Sequence, residues 1–109
     1  MDIEGCIREG FLARISPDSE LVTKEFAEAD YDLKAAEKAW EDKDCKWCIV
    51  KSYYCMFHAA RAVLFGLGLR EKRHFAIGVV LEDLNKKGKL ESSFVNDFRM
   101  QQMVDKSAI

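Results

Sequence analysis

The sequence predicts an all-α fold, an antiparallel up-and-down bundle of four helices with a short extra helix at its N-terminus. Three observations support this prediction. Apolar residues recur at helical spacing over long stretches, one long segment is apolar on nearly every side, and we find no alternation typical of strands. The 109 residues are enough for one domain, 1–109, whose small core leaves oligomerisation as an expectation.

The first long helix begins at Ser16-Pro17-Asp18, where a serine cap precedes a proline at the first helical position. An apolar stripe then advances by three or four residues at a time, as in a helix of about 25 residues that packs along one side. Its members are Val22, Phe26, Ala29, Leu33, Ala36 and Trp40. We expect this stripe in the core, and the opposite face, with Glu25 and Asp32, in solvent.

The second helix, 44–67, is apolar on almost every side, so we expect it to be buried at the centre of the fold. Gly66 and Gly68 end it. A basic loop follows, then a third helix over 74–87 and a fourth that begins within 91–93 and turns Phe94, Phe98 and Met103 inward. Residues 3–14 are assigned the short extra helix.

Charge is distributed unevenly along the chain. The formal net charge of −2 excludes a uniformly basic nucleic-acid binder. Residues 1–42 hold 12 acidic and 5 basic residues, whereas residues 43–90 hold 4 acidic and 10 basic residues. The near-neutral total therefore cancels an acidic first helix against a basic middle, which either attract each other inside the bundle or form a positive cleft.

Features of membrane, secreted and metal-binding proteins are missing from the sequence. No apolar run could cross a bilayer and the N-terminus does not have the order of a signal peptide, so we expect a cytoplasmic protein with no membrane partner. Cys45 and Cys48 have the spacing of zinc or redox sites, but Cys55 and His58 lie too far along the same helix to complete a metal site. We predict buried thiols, no metal and no cofactor.

A stripe of polar residues interrupts the apolar second helix along one side. Its members are Lys51, Tyr54, His58 and Arg61. Obligate cations on such a helix require water, a carboxylate or a ligand. Two interpretations remain open: the cations form buried ion pairs with acids of the first helix, such as Asp30 or Asp32, or they line a cleft that binds phosphate.

A second basic cluster precedes the third helix. It contains Arg70, Lys72, Arg73 and His74. Because a helix N-terminus favours an anion, this cluster strengthens the phosphate interpretation, and Arg99 adds further outer charge. A base-stacking platform of the tyrosines with Trp40 and Trp47 is a weaker alternative, since aromatic residues at helical spacing usually pack in the core.

Three segments carry a family resemblance: FAEADYDLKAAEKAWEDKD, SYYCMFHAARAVLFGLGL and HFAIGVVLEDL. They resemble the HEPN domain proteins (higher eukaryotes and prokaryotes nucleotide-binding) over residues 24–105, and the second segment is similar to a small prokaryotic branch. The resemblance implies a helical bundle that forms homodimers. It also implies a gene pair with a minimal nucleotidyltransferase, as in toxin–antitoxin or two-component systems.

Many HEPN proteins are metal-independent ribonucleases, and the resemblance implies where their motif would lie. That motif is an Arg, four to six residues and then a His, late in the bundle. The late arginine of this chain is Arg99, and the matching His positions hold Val104, Asp105 and Lys106. We therefore do not carry the ribonuclease activity over to this chain.

Our leading hypothesis is a non-catalytic, dimeric protein that binds nucleotide or RNA phosphate beside a nucleotidyltransferase subunit. The alternatives are a divergent ribonuclease that moves protons with His58 or His74, and a pure protein-interaction module. The residues assigned to phosphate binding are Lys51, Tyr54, His58, Arg61, Arg70, Arg73 and Arg99.

Overall fold

The computed structural model describes residues 1–108, with the side chains of residues 1–100. These residues form five α-helices and two short strands: α1 (Ile3–Arg8), β1 (Leu12–Arg14), α2 (Ser19–Glu41), α3 (Cys45–Gly66), β2 (Leu69–Glu71), α4 (Phe75–Lys86) and α5 (Ser92–Ala108). The predicted helical bundle is confirmed, including a short helix near the N-terminus. The side chains of Met103, Val104, Asp105 and Lys106 lie outside the described residues.

Aspartate side chains cap the two longest helices, and at α2 the cap is Asp18 rather than the predicted Ser16. The carboxylate of Asp18 accepts a hydrogen bond from the backbone N–H of Glu20, 2.9 Å away, and so caps α2. Asp44 caps α3 by accepting from Trp47 at 3.1 Å. Ser16 thus lies before the helix rather than at its cap, and a carboxylate at this position also complements the helix dipole.

A two-stranded antiparallel ladder, which the sequence analysis missed, joins the segment after α1 to the segment after α3. Its paired residues are Leu12 with Glu71, Ala13 with Arg70 and Arg14 with Leu69. Strands of three residues are too short to show an alternation of apolar and polar residues. The absence of that pattern in the sequence therefore did not exclude strands. Arg70 consequently lies in β2, on the face opposite to Leu69 and Glu71, and not in a loop.

The core forms where α3 meets α4 and α5. Its largest fully buried side chains in these helices are Leu64, Phe65, Ile77, Val80, Leu81 and Phe98. The expectation that α3 is buried on all sides is wrong, because Trp47, Ile49 and Val63 are exposed. None of the helices within the described residues is long and apolar enough to span a membrane.

The predicted orientation of α2 is correct for only part of the apolar stripe, since Ala29 and Ala36 are buried but its three largest members are exposed. Phe26, Leu33 and Trp40 are 50%, 45% and 70% exposed, whereas Glu25 and Asp32 are only 7% and 6% exposed. Neighbouring residues on a helix point about 100° apart, so the acids and these three exposed residues occupy adjacent faces of α2. The acidic face is the one that meets α3, because α3 presents cations there.

Replacing Gly68 with alanine is expected to destabilise the fold more than the same change at Gly88. Both residues have a positive φ, of 76° and 72°, which costs an L-residue about 1 kcal/mol. A Cβ at Gly68 would also lie 2.9 Å from the Ile15 carbonyl oxygen, whereas nothing lies within 4 Å of one at Gly88. We expect urea unfolding to show losses of about 3 kcal/mol for Gly68→Ala and about 1 kcal/mol for Gly88→Ala. Equal losses would contradict the close approach of Ile15 to Gly68.

Candidate functional site

Two acids of α2 face two basic residues of α3 across the antiparallel helix interface. Glu25 and Asp32 are separated by about two helical turns, as are Lys51 and His58. The Lys51 Nζ lies 3.5 Å from an Asp32 oxygen, and the His58 Nδ1 lies 2.6 Å from a Glu25 oxygen. The two pairs therefore match in register only when α2 and α3 are aligned as they are here.

Arg61 extends this arrangement by one turn of α3 and joins it to β2. Its Nη1 lies 3.2 Å from Glu25, and its Nε lies 3.0 Å from Glu71, whose side chain is only 7% exposed. The guanidinium also lies over the rings of Phe57 and Phe65, at 5.5 and 5.2 Å from their centres. Arg61 is thus held by carboxylates on two sides and by aromatic faces on others.

We call these six residues the ionic row: Glu25, Asp32, Lys51, His58, Arg61 and Glu71. The row contains three carboxylates, two permanent cations and one imidazole. Even with a charged imidazole, the carboxylates balance the positive groups, so the row has no surplus positive charge. This balance favours the ion-pair interpretation of the polar stripe. Asp32 is one of the expected partners, but Asp30 instead pairs at 2.9 Å with Lys34 on the surface.

Two other residues of the same stretch of α3 are packed rather than free. Tyr54 is half-buried against the core, with its ring centre 5.6 Å from that of Tyr53. Burial raises the pKa of the Cys55 thiol, and the negative charges of Asp32 and Asp30 raise it further. Cys55 is therefore a protonated thiol at neutral pH, without the reactivity of a thiolate.

A second charged feature lies on the surface, at residues 70–74, which we call the basic segment. Arg70, Lys72 and Arg73 are exposed and form no ion pair with the described side chains. The one acid of the segment, Glu71, points inward to Arg61. Burying this carboxylate leaves an outward surface that is entirely basic.

The backbone of the basic segment is anchored to the rest of the fold. The Lys72 N–H donates to the Phe11 carbonyl at 2.8 Å, and the ring of Phe11 packs edge-on against Phe75 at 5.0 Å. His74 begins α4 without a side-chain cap, and its ring lies 5.2 Å from that of Phe57. The segment therefore presents its charges at an uncapped helix N-terminus, where anions are stabilised.

Arg99 is not part of either charged feature. Its guanidinium lies 2.9 Å from Glu82 and extends over Gly78, where any Cβ would be 2.9 Å from its Nη2. This contact joins α5 to α4. The charge that the sequence analysis assigned to phosphate is thus paired with a carboxylate.

No cluster of His, Cys, Asp and Glu within the described residues could hold a metal ion. Cys45 is exposed and Cys48 is half-buried, so the prediction that these cysteines are buried is wrong for Cys45. All four cysteines are free thiols.

Comparison with protein families identifies the chain. The family model of the HEPN domain matches residues 23–107, so the chain belongs to the HEPN domain family. Membership of this family indicates a nucleotide- or RNA-related function. The search of curated proteins and the search of solved structures each find no match.

The sequence analysis did not identify Glu25 and Glu71 as partners of the polar stripe. One signal was available for Glu25: it precedes Asp32 by the same interval that separates Lys51 from His58. Antiparallel helices with equal spacings can align such residues in pairs. No local pattern indicates Glu71, which reaches Arg61 only because β2 folds back along α3.

Removing the charge of Glu25 is expected to destabilise the protein strongly. Glu25→Gln keeps the size of the side chain but leaves His58 and Arg61 without a shared carboxylate, a loss of about 3 kcal/mol for a buried ion pair. The exposed Glu28 on the same helix provides the matched control, and Glu28→Gln should change stability by less than about 0.5 kcal/mol. Urea unfolding followed by circular dichroism measures both. Similar values for the two variants would show that the ionic row does not hold α2 to α3.

Proposed function

We propose that this HEPN protein binds the phosphates of RNA or of a nucleotide on its basic segment and is not itself a catalyst. The observation that carries the proposal is the inward position of Glu71, which leaves Arg70, Lys72 and Arg73 as outward cations without an ion pair among the described side chains. The ionic row acts as the internal support of this surface, since Arg61 holds the Glu71 carboxylate away from it.

Electrostatics favours this surface over the polar stripe of α3. A phosphate at Lys51 or Arg61 would compete with carboxylates that already pair with these cations. It would also lose part of its hydration without gaining a net positive charge in return. A phosphate at the basic segment meets three exposed cations and the positive end of the α4 dipole. Such contacts give affinity with little sequence preference.

We also propose that the protein is a homodimer in the cytoplasm. It would act together with a nucleotidyltransferase subunit, as in toxin–antitoxin or two-component pairs. Four free thiols support a reducing compartment. The small core of a chain of 109 residues supports association with a second subunit. Family membership supports the pairing with a nucleotidyltransferase.

Removal of the basic segment's charge should weaken RNA binding and flatten its dependence on salt. We expect the triple variant Arg70→Ala, Lys72→Ala, Arg73→Ala to bind a short single-stranded RNA more weakly. The slope of the logarithm of the binding constant against the logarithm of the salt concentration should fall in magnitude by about two, because each of the three lost phosphate contacts contributes about 0.7. Fluorescence anisotropy over a salt series measures both quantities, with ATP as a second ligand.

A matched control removes the same amount of charge elsewhere. Lys24, Lys43 and Lys46 are exposed and form no ion pair with the described side chains, so their triple alanine variant should retain the affinity and slope of the unmodified protein. If both triple variants lose binding equally, the effect comes from net charge alone and the basic segment is not the site.

One observation favours a second candidate, a divergent ribonuclease. The His58 imidazole is held by the Glu25 carboxylate at 2.6 Å, in the manner of an oriented general base. Around the Phe57 ring lie His58 at 5.3 Å, His74 at 5.2 Å and Arg61 at 5.5 Å. Two histidines for proton transfer and an arginine for the phosphorane charge are the groups needed to cleave RNA through a 2′,3′-cyclic phosphate.

Incubation with total RNA separates the two candidates. If the protein is a non-catalytic binder, the unmodified protein should cleave no more RNA than the double variant His58→Gln, His74→Ala purified in parallel. Cleavage that both histidine substitutions abolish, with 2′,3′-cyclic phosphate ends, would favour the ribonuclease instead. If neither RNA nor ATP binds but a nucleotidyltransferase co-purifies with the tagged chain, the protein is an interaction module.

A further inference from the structure

A groove between the C-terminal half of α2 and the N-terminal half of α3 lies outside the proposed phosphate site. Its volume is about 400 Å³, and its apolar wall is formed by Leu33 and Trp40 of α2. Cys48 and Ser52 of α3 form the opposite wall, and their small side chains leave the space open. The groove thus has large apolar groups on one side and room for inserted side chains on the other.

The apolar side of the groove continues along α2. Phe26, Leu33 and Trp40 follow one another at intervals of seven residues and therefore lie on a nearly straight line. Trp40 is 70% exposed, which is unusual for the largest apolar side chain. An aligned set of exposed aromatic and aliphatic residues marks a protein interaction surface.

The charge at the edge of the groove defines the partner. The two charged residues that line it are Glu37 and Glu41, one turn apart on α2, and neither forms an ion pair with a described side chain. Nearby acids differ in this respect, since Asp30 pairs with Lys34 and Asp42 pairs with Lys38. The carboxylates of Glu37 and Glu41 are therefore available to a positively charged partner.

We propose that this groove binds a basic amphipathic helix of another protein. The partner's apolar side chains would fill the space beside Leu33 and Trp40, and its Lys or Arg residues would pair with Glu37 and Glu41. Nucleic acid fits the groove poorly, because its phosphates would meet the two carboxylates. A second copy of the chain also fits less well, because in a symmetric contact through the groove both surfaces carry Glu37 and Glu41 and no basic residue that lines the groove.

Two synthetic peptides test the proposal. Each has about 18 residues, or five helical turns, with leucines along one face. One has lysines on both flanks of that face, and the other has glutamates in the same places. We expect the full-length protein to bind the lysine peptide at least about tenfold more tightly than the glutamate peptide in fluorescence anisotropy. Equal affinities would overturn the proposal.

A charge reversal at the edge makes the test specific. In the variant Glu37→Lys, Glu41→Lys the preference should invert, so that the glutamate peptide binds more tightly. Glu20→Lys, Glu28→Lys is the matched control, since it reverses two exposed acids of α2 outside the groove and should leave the preference for the lysine peptide unchanged. Loss of that preference in the control as well would mean that the peptides respond only to net charge, which contradicts a defined groove.

The apolar wall is tested separately. Leu33→Ser and Trp40→Ser should each lower the affinity for the lysine peptide by about tenfold. The helical circular dichroism signal should not change, because both side chains are exposed in the folded protein. Sedimentation of the unmodified protein provides the last outcome. Self-association that Leu33→Ser abolishes would assign the groove to a second copy of the chain and overturn the proposal.

Discussion

The alignment of charges between α2 and α3 is the constraint on which the rest of this structure depends. Ion pairs in a partly buried interface contribute little net stability, because desolvation offsets most of the attraction. They do restrict the helix alignment, however, because any other register would leave a buried charge unpaired. Glu25 opposite His58 and Asp32 opposite Lys51 therefore fix one register and one rotation of α2 on α3. Arg61 adds β2 to the same arrangement through Glu71.

The two surfaces with functional proposals follow from that constraint. Turning Glu25 and Asp32 toward α3 rotates Phe26, Leu33 and Trp40 away from the helix interface, while the small Ala29 and Ala36 stay buried. Leu33 and Trp40 are thereby left on the surface, beside Glu37, which pairs with none of the described side chains. Drawing Glu71 inward removes the only acid from the basic segment. One set of internal ion pairs thus separates an acidic, apolar groove from a basic surface, and the two surfaces suit partners of opposite charge.

Several elements of the fold could be predicted from local chemistry because the signals lie within a few residues. The ends of α3, the start of α4 and the position of α5 follow from glycines, acids and apolar spacing. The face of α2 could not be predicted in this way. Apolar spacing finds the most hydrophobic side of a helix, but whether that side is buried depends on what the neighbouring helix presents. The ladder of β1 and β2 was missed because three-residue strands hold no periodic signal.

The sequence by itself determined the helical class, the family resemblance and the presence of an unusual polar stripe on α3. It also showed that the stripe required counter-charges or an anionic ligand, and it left that choice open. Only the tertiary structure decided it. Glu71 lies ten residues beyond Arg61 in the chain, and Glu25 lies 33 residues before His58. Charges attract according to their distance in space and not along the chain, so chain folding alone brings these carboxylates to their partners.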